Sequence, residues 1–123
     1  MIKENKSITV DGVEYVPKGS NSSPAPKLKG MNYVIVRTYS AGVFAGYLAK
    51  REGKEVTLKQ ARRLWSWSGA ASLSQLAMEG VSKPDDCKFP CEVDSVDLLE
   101  AIEIIDVTKE AQLSIKNVKI WEL

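Results

Sequence analysis

Hydrophobic positions in the first half of the chain follow the pattern of three β-strands joined by short turns. The runs 31–38, 43–49 and 55–65 are rich in β-branched and aromatic residues, and turn residues separate them. Strands connected this closely pair antiparallel. The pattern therefore predicts an antiparallel meander.

Two positions interrupt this pattern. The alternation of the third strand slips between Gln60 and Arg62, which predicts a β-bulge that redirects the side chains after it. Gly46 stands inside the second strand. A glycine there indicates close approach by another backbone or by a ligand.

The strand pattern ends after Trp67 and helical spacing follows, with either Ser68 or Ser72 able to cap the helix. Gln75 stands three residues after Ser72 and completes a capping box, and Gly80 is placed to end the helix. A second short helix is predicted over 109–115, with Thr108 as its N-cap. Both helices are short and require tertiary packing to persist.

The segment 92–108 interleaves apolar and acidic residues. This register fits a strand, and a helix over 94–103 stays open as an alternative. Residues 118–121 are predicted to form a final strand. The predicted fold class is α+β, with an antiparallel β-sheet meander, one or two short helices and a preceding N-terminal β-hairpin.

The hairpin is predicted within residues 1–16, where two β-rich runs flank Asp11 and Gly12. Residues 17–30 are rich in Ser, Pro and Gly and are interpreted as a flexible linker. The compact α+β domain is expected to span 31–123. The hairpin either docks on this domain or a neighbouring subunit, or is a poorly ordered appendage.

The composition excludes several kinds of chemistry. The chain has 123 residues, as expected for one domain, and it contains no histidine. Ser–His and Cys–His nucleophiles and histidine metal ligands are therefore excluded. We expect no cofactor and no metal site. No apolar run is long enough to span a membrane and no signal peptide is visible, so a cytoplasmic location is expected.

The two cysteines, Cys87 and Cys91, are separated by three residues. Two thiols cannot supply the four ligands of a zinc site, and the spacing is not that of a redox Cys-x-x-Cys pair. We interpret them as free thiols.

Charge is distributed unevenly although the net charge is only +1. Residues 31–80 have a net charge of +4 and contain all four arginines, whereas residues 81–123 have a net charge of −5. This difference places any anion site in the middle of the chain. The balanced total argues against long nucleic acid as a partner.

Arginine, tryptophan, serine and glycine are concentrated in residues 61–77. Arginine suits phosphate, an indole offers a stacking face, and a turn before a helix exposes backbone N–H groups. The alternative is that these tryptophans are core residues and the arginines face solvent. The residues predicted to bind a nucleotide-like ligand are Arg37, Tyr39, Arg62, Arg63, Trp65, Trp67, Ser68 and Gly69.

Two motifs, YVIVRTYSAGVFAG from residue 33 and ARRLWSWSGAASLSQLA from residue 61, resemble a widespread family of small tailed-phage proteins of unknown function. The resemblance covers residues 31–123. The chain also resembles in kind the oligomeric phage anti-CBASS sponges, which sequester cyclic nucleotide immune signals without catalysis. This resemblance implies a cyclic oligonucleotide ligand, a homo-oligomer and a location in the infected bacterial host, and it assigns no residue.

Two other functions stay open. An accessory protein could bind a host or phage protein through the acidic last third or the hairpin edge. An enzyme would need a base that the sequence does not show, although nucleophiles and acids are present (Ser68, Ser72, Cys87, Cys91, Asp85 and Asp86). A metal-binding carboxylate set (Asp94, Asp97 and Glu100) is conceivable, but such spacing is typical of a solvated face. We expect no enzyme activity.

Overall fold

The computed structural model describes residues 8–10, 13–15 and 23–123. Strands β1 and β2 form a separate two-stranded sheet, and β3 to β7 form a five-stranded sheet. The strands are β1 (Ile8–Val10), β2 (Val13–Tyr15), β3 (Tyr33–Thr38), β4 (Val43–Glu52), β5 (Glu55–Arg63), β6 (Glu92–Leu98) and β7 (Ala101–Asp106). The helices are α1 (Leu73–Glu79) and α2 (Lys109–Asn117).

The large sheet has the strand order β6-β5-β4-β3-β7, and every neighbouring pair is antiparallel. The predicted meander of β3, β4 and β5 and the α+β class are therefore confirmed. Strands β6 and β7 lie at opposite edges although only Leu99 and Glu100 separate them. The sheet must curl to allow this. The backbone N–H of Tyr39 donates to Glu100 and that of Ala101 donates to Lys54, both at 2.9 Å.

The segment 92–108 is thus two strands rather than one, and the helix over 94–103 is wrong. The turn at Leu99 and Glu100 divides the apolar pattern, and each half pairs with a different strand of the meander. Local periodicity cannot reveal such a division, because it does not show which strand each half pairs with.

Curling gives the sheet an inner and an outer core. The inner cluster contains Val36, Phe44 and Leu58. The outer cluster packs the other face of β3 and β4 against both helices, with Leu76 of α1 and Ile115 of α2 fully buried. The helices therefore cover only one side of the sheet.

The predicted bulge and the close approach at Gly46 are confirmed. Gln60 has φ 49°, and the pairing of β4 with β5 shifts register at this point. A Cβ on Gly46 would lie 3.0 Å from both the Cα of Ala61 and the carbonyl oxygen of Lys59. After the bulge, Arg62 stands opposite Ala45 on the outer face.

Both predicted helices are confirmed with their caps. The Ser72 hydroxyl accepts from the backbone N–H of Gln75 at 3.1 Å, and Gly80 ends α1 with φ 79°. The Thr108 hydroxyl accepts from the backbone N–H of Ala111 at 3.1 Å. Among the described residues, neither helix is long and apolar enough to cross a membrane.

The predicted final strand at 118–121 is wrong. Ile120 forms only an isolated parallel bridge with Phe89, and the backbone N–H of Trp121 donates to the Phe89 carbonyl at 3.0 Å. The Val118 carbonyl accepts from a side chain, Arg62, instead of from a neighbouring strand.

The N-terminal hairpin is present, with Ile8 opposite Tyr15, whereas its turn at residues 11–12 lies outside the described residues. Residues 23–30 differ from the predicted flexible linker because they pack on the domain. Ala25 is buried in the outer core and its N–H donates to Val107 at 3.0 Å. The division of the chain into hairpin, linker and domain otherwise stays a prediction.

The contact at Gly46 predicts the effect of adding a methyl group there. Gly46→Ala should lower the free energy of unfolding by about 1–3 kcal/mol, because backbone atoms of β5 must shift. Urea unfolding measures this change. Ala49→Val adds more volume on the same strand at an exposed position and should change it by less than about 0.5 kcal/mol. Equal effects of the two variants would contradict the close approach.

Candidate functional site

Arg62 lies inside the protein rather than at its surface. Only 3% of it is exposed, and its guanidinium donates to four backbone carbonyls. Nε donates to the Pro90 carbonyl at 2.8 Å, and Nη1 donates to the Ile115 carbonyl at 2.7 Å. Nη2 reaches Phe89 at 2.9 Å and Val118 at 2.7 Å. The structure therefore corrects the prediction that Arg62 holds a ligand phosphate.

Burial lowers the pKa of Arg62, while the nearby Tyr33 and Glu92 favour its charged form. The guanidinium can donate to all four carbonyls because an arginine side chain keeps its proton in proteins. Within the described residues, the Tyr33 hydroxyl is buried without a hydrogen-bond partner. Burial, and then the negative charge of Glu92, raise the pKa of Tyr33 well above its ordinary value of 10.0.

The contacts of Arg62 fix the position of the chain's last residues. Arg62 holds the Phe89 and Val118 carbonyls together, and Trp121 then donates its backbone N–H to the same Phe89 carbonyl. As a result the Trp121 indole stacks on that of Trp65, with 6.5 Å between ring centroids and 11° between ring planes. This separation is near the long end of the range for aromatic pairs.

Both stacked indoles are accessible, since Trp65 is 62% and Trp121 is 43% exposed. The ammonium of the exposed Lys88 lies 5.6 Å from the centroid of the Trp121 ring. Lys88 is held here because its backbone N–H donates to Ser66 at 2.7 Å. We call Trp65, Trp121 and Lys88 the indole surface.

Arg63 lies beside the indole surface on the other side of the strand from Arg62. Its guanidinium lies 4.4 Å from the centroid of the Phe44 ring and donates to the Ala41 carbonyl at 2.9 Å. A shallow cleft of about 190 Å³ adjoins it. The cleft is lined by Ala41, Gly42, Val43, Arg63, Leu64, Trp65 and Trp67. The structure thus brings together Arg63, Trp65 and Trp67 of the predicted site.

Other predicted site residues have different surroundings. Arg37 forms an exposed ion pair with Glu103 of β7 at 2.9 Å, and it does not line the cleft. Tyr39 is exposed on the turn before Ala41 and also does not line it.

Ser68 and Gly69 lie on a turn that packs against the loop following α1. The Ser68 N–H donates to the Cys87 sulfur at 3.4 Å, and the Gly69 carbonyl accepts from the Ser82 N–H at 3.2 Å. The Ala71 N–H donates to Oε1 of Gln75 at 2.7 Å. These contacts stabilise the turn, and they occupy the N–H groups of Ser68 and Ala71, so neither of these two amides is open to a ligand in this structure.

Both cysteines are free thiols, as expected, with Cys87 buried and Cys91 exposed. Among the described residues, no group of three Cys, Asp or Glu side chains is arranged to hold a metal ion. Asp97, one of the three conceivable ligands, accepts a hydrogen bond from the Thr57 hydroxyl at 2.7 Å.

Sequence reasoning missed Trp121 and Lys88 as members of the surface. Each stands more than 20 residues from Trp65, and only the pairing of residues 66 and 88 and of 89 and 120 brings them to it. The third tryptophan, Trp121, was the available signal for this surface. The apolar pattern around it instead predicts a final strand.

The protein is therefore of the α+β class. Its curled antiparallel sheet carries two helices on one face and has an exposed indole–cation surface. The chain belongs to the family described as a domain of unknown function, DUF6948, whose model matches residues 31–115. This agrees with the expected membership of an uncharacterised family. No curated protein and no solved structure gives a significant match.

The hydrogen bonds of Arg62 predict a large stability effect. Arg62→Ala should lower the free energy of unfolding by more than about 3 kcal/mol, because it leaves buried carbonyls without partners. Urea unfolding monitored by far-UV circular dichroism measures this change. The exposed Lys50→Ala should change it by less than about 0.5 kcal/mol, because its ion pair is a solvent-exposed one. An Arg62→Ala effect as small as this control would contradict the buried role.

Tyr33 and Tyr47 of the outer core, whose rings meet edge to face, predict different effects of losing a hydroxyl. Tyr33→Phe should leave the free energy of unfolding unchanged or raise it by up to about 1 kcal/mol, because the removed hydroxyl has no partner. Tyr47→Phe should lower it by about 1 kcal/mol, because Gln112 and Lys116 donate to that hydroxyl. Thermal and urea unfolding of both variants measure the difference. A larger loss for Tyr33→Phe would contradict the assignment.

Proposed function

We propose that this chain is a non-catalytic protein that binds and sequesters a cyclic nucleotide immune signal in the cytoplasm of an infected bacterial host. The observation that supports it is the pair of accessible, parallel indoles of Trp65 and Trp121, with one cation against Trp121 and another in the cleft that Trp65 lines. Arg63 and Lys88 are these cations, and both are exposed.

The indoles suit the bases of such a ligand. A base stacked on an exposed aromatic ring contributes about 1–3 kcal/mol and needs no particular base identity. A cyclic dinucleotide carries two bases, and the surface offers two indoles with accessible area. The half-buried Trp67 lines the adjoining cleft and adds apolar area beside Trp65.

The cations suit its phosphates. A charge-assisted hydrogen bond contributes about 1.5–3 kcal/mol. Arg63 uses Nη1 for the Ala41 carbonyl, and this contact holds the guanidinium plane over Phe44 at the edge of the cleft. Lys88 supplies a second positive charge at the far indole. Two bases and two phosphates are therefore matched by two rings and two cations.

The distribution of charge favours a small ligand over long nucleic acid. Lys88 of the indole surface and Arg63 of the adjoining cleft are the two cations of the proposed site. Strand β6, by contrast, exposes Glu92, Asp94 and Asp97 on the same sheet. A polynucleotide would need a continuous basic track. The absence of histidine from the sequence supports binding without acid–base chemistry.

The second candidate is an accessory protein that binds a host or phage protein. The exposed acidic strand β6 favours it, because it lies at an edge of the sheet and would suit a basic extended segment.

Calorimetry against a panel of cyclic di- and trinucleotides tests the sponge proposal. We expect tight binding of at least one member, and Trp65→Ala should weaken it by about tenfold or more, because a stacking contact is lost. Tyr39→Ala removes an even more exposed aromatic ring outside the cleft and should leave affinity unchanged. No binding across the panel would contradict the proposal, and stoichiometric capture of a basic host or phage protein would then favour the second candidate.

Loss of one surface cation gives a second comparison. Arg63→Ala should weaken binding by about tenfold, whereas Lys59→Ala removes one exposed positive charge from the same strand and should have little effect. Ligand recovered after denaturation should be intact by mass spectrometry. A cleaved product would show catalysis and contradict sequestration.

A further inference from the structure

Among the described residues, the outer edge of β7 has no strand beside it, and only its first residue is engaged there, through the Ala101 N–H that donates to the Lys54 carbonyl at 2.9 Å. Strand β7 pairs with β3, and in the part of the chain that the structure describes no other strand pairs with it. A cleft of about 500 Å³ is lined by Arg51, Gly53, Lys54 and residues 101–104. Four successive strand residues point alternately to the two faces of a sheet, so a cleft that touches all four follows the strand's edge.

This edge is unusually apolar for one that is left open. Ile102 is 48% exposed, and Ile104 and Ile105 are only half-buried. Leu99 and Tyr39 are also exposed, and the hydrogen bond from Tyr39 to Glu100 places them at the same end of the sheet. An exposed apolar edge strand is a template for another strand.

Charge complementarity indicates that the added strand is β7 of a second copy. One wall of the cleft is cationic, with Arg51 and Lys54 both exposed. The strand itself carries the exposed Asp106 and also Glu103, whose carboxylate is shared with Arg37 of its own subunit. Two antiparallel copies of β7 related by a two-fold axis would place the acids of each beside the cations of the other, so the attraction would occur twice.

The opposite edge of the sheet, formed by β6, lacks this charge complementarity with a second copy of itself. Strand β6 exposes Glu92, Asp94 and Asp97, and the residues described near this edge include no comparable pair of cations in a cleft with it. Two copies of β6 side by side would bring like charges together, which is destabilising. Of the two edges of the five-stranded sheet, β7 is therefore the one that favours self-association.

We propose that the protein forms a two-fold dimer by antiparallel pairing of β7 with β7 of a second copy, which makes one continuous sheet across both subunits. Ile102 of each copy packs in the interface, and Arg51 and Lys54 of each copy face the acidic residues of the other. The indole surface is not part of this contact.

Sedimentation equilibrium of the full chain tests the proposal. The expected mass is twice the 13.6 kDa of the monomer. Ile102→Lys should raise the dimer dissociation constant by about 100-fold or more, because an apolar side chain is lost from the interface twice. Val93→Lys is the matched control, since Val93 is 46% exposed on the edge strand β6, and it should leave the constant unchanged.

Lys54→Glu gives an independent comparison, because it reverses an exposed charge at the cleft without removing an apolar side chain. It should also weaken the dimer, while far-UV circular dichroism stays that of the wild type. A monomeric wild type would overturn the proposal, as would an assembly that Ile102→Lys leaves intact or that Val93→Lys disrupts equally.

Discussion

The buried guanidinium of Arg62 is the interaction on which the rest of the structure depends. It joins strand β5 to the loop at Phe89 and Pro90, to the end of α2 at Ile115 and to the C-terminal segment at Val118. A buried charge is costly unless hydrogen bonds compensate it. Here four carbonyl oxygens take that role, so the positions of three separate segments are coupled to one side chain. The position of the partly exposed indole pair follows from these contacts, because the backbone N–H of Trp121 donates to the same Phe89 carbonyl.

A single irregularity in β5 gives two adjacent arginines opposite roles. The bulge at Gln60 sets the register so that Arg62 faces the helices opposite Ala45, while Arg63 faces the other side opposite Phe44. One guanidinium is therefore structural and the other is available at the surface beside the cleft. Gly46 permits this register because no Cβ stands between the two strands at the bulge.

The meander, both helix caps, the bulge and the hairpin could be predicted because their signals are local. Alternation, capping residues and turn residues act within a few positions of the chain. The division of 92–108 between two sheet edges could not be predicted, since it depends on how far the whole sheet curls. Three residues of the candidate site, Arg63, Trp65 and Trp67, could be predicted from the local concentration of arginine and tryptophan. Composition cannot distinguish a buried arginine such as Arg62 from an exposed one. Trp121 and Lys88 reach the surface only through pairing between distant segments.

The most direct measurement is the exciton-coupled circular dichroism of the two stacked indoles in Arg62→Lys. Lysine keeps the positive charge but has a single ammonium in place of the planar fork, so it cannot reach all four carbonyls. If Arg62 positions the C-terminal segment, the couplet from Trp65 and Trp121 is lost while the far-UV spectrum stays that of a folded chain. A couplet of wild-type intensity in the folded variant would contradict the role assigned to Arg62.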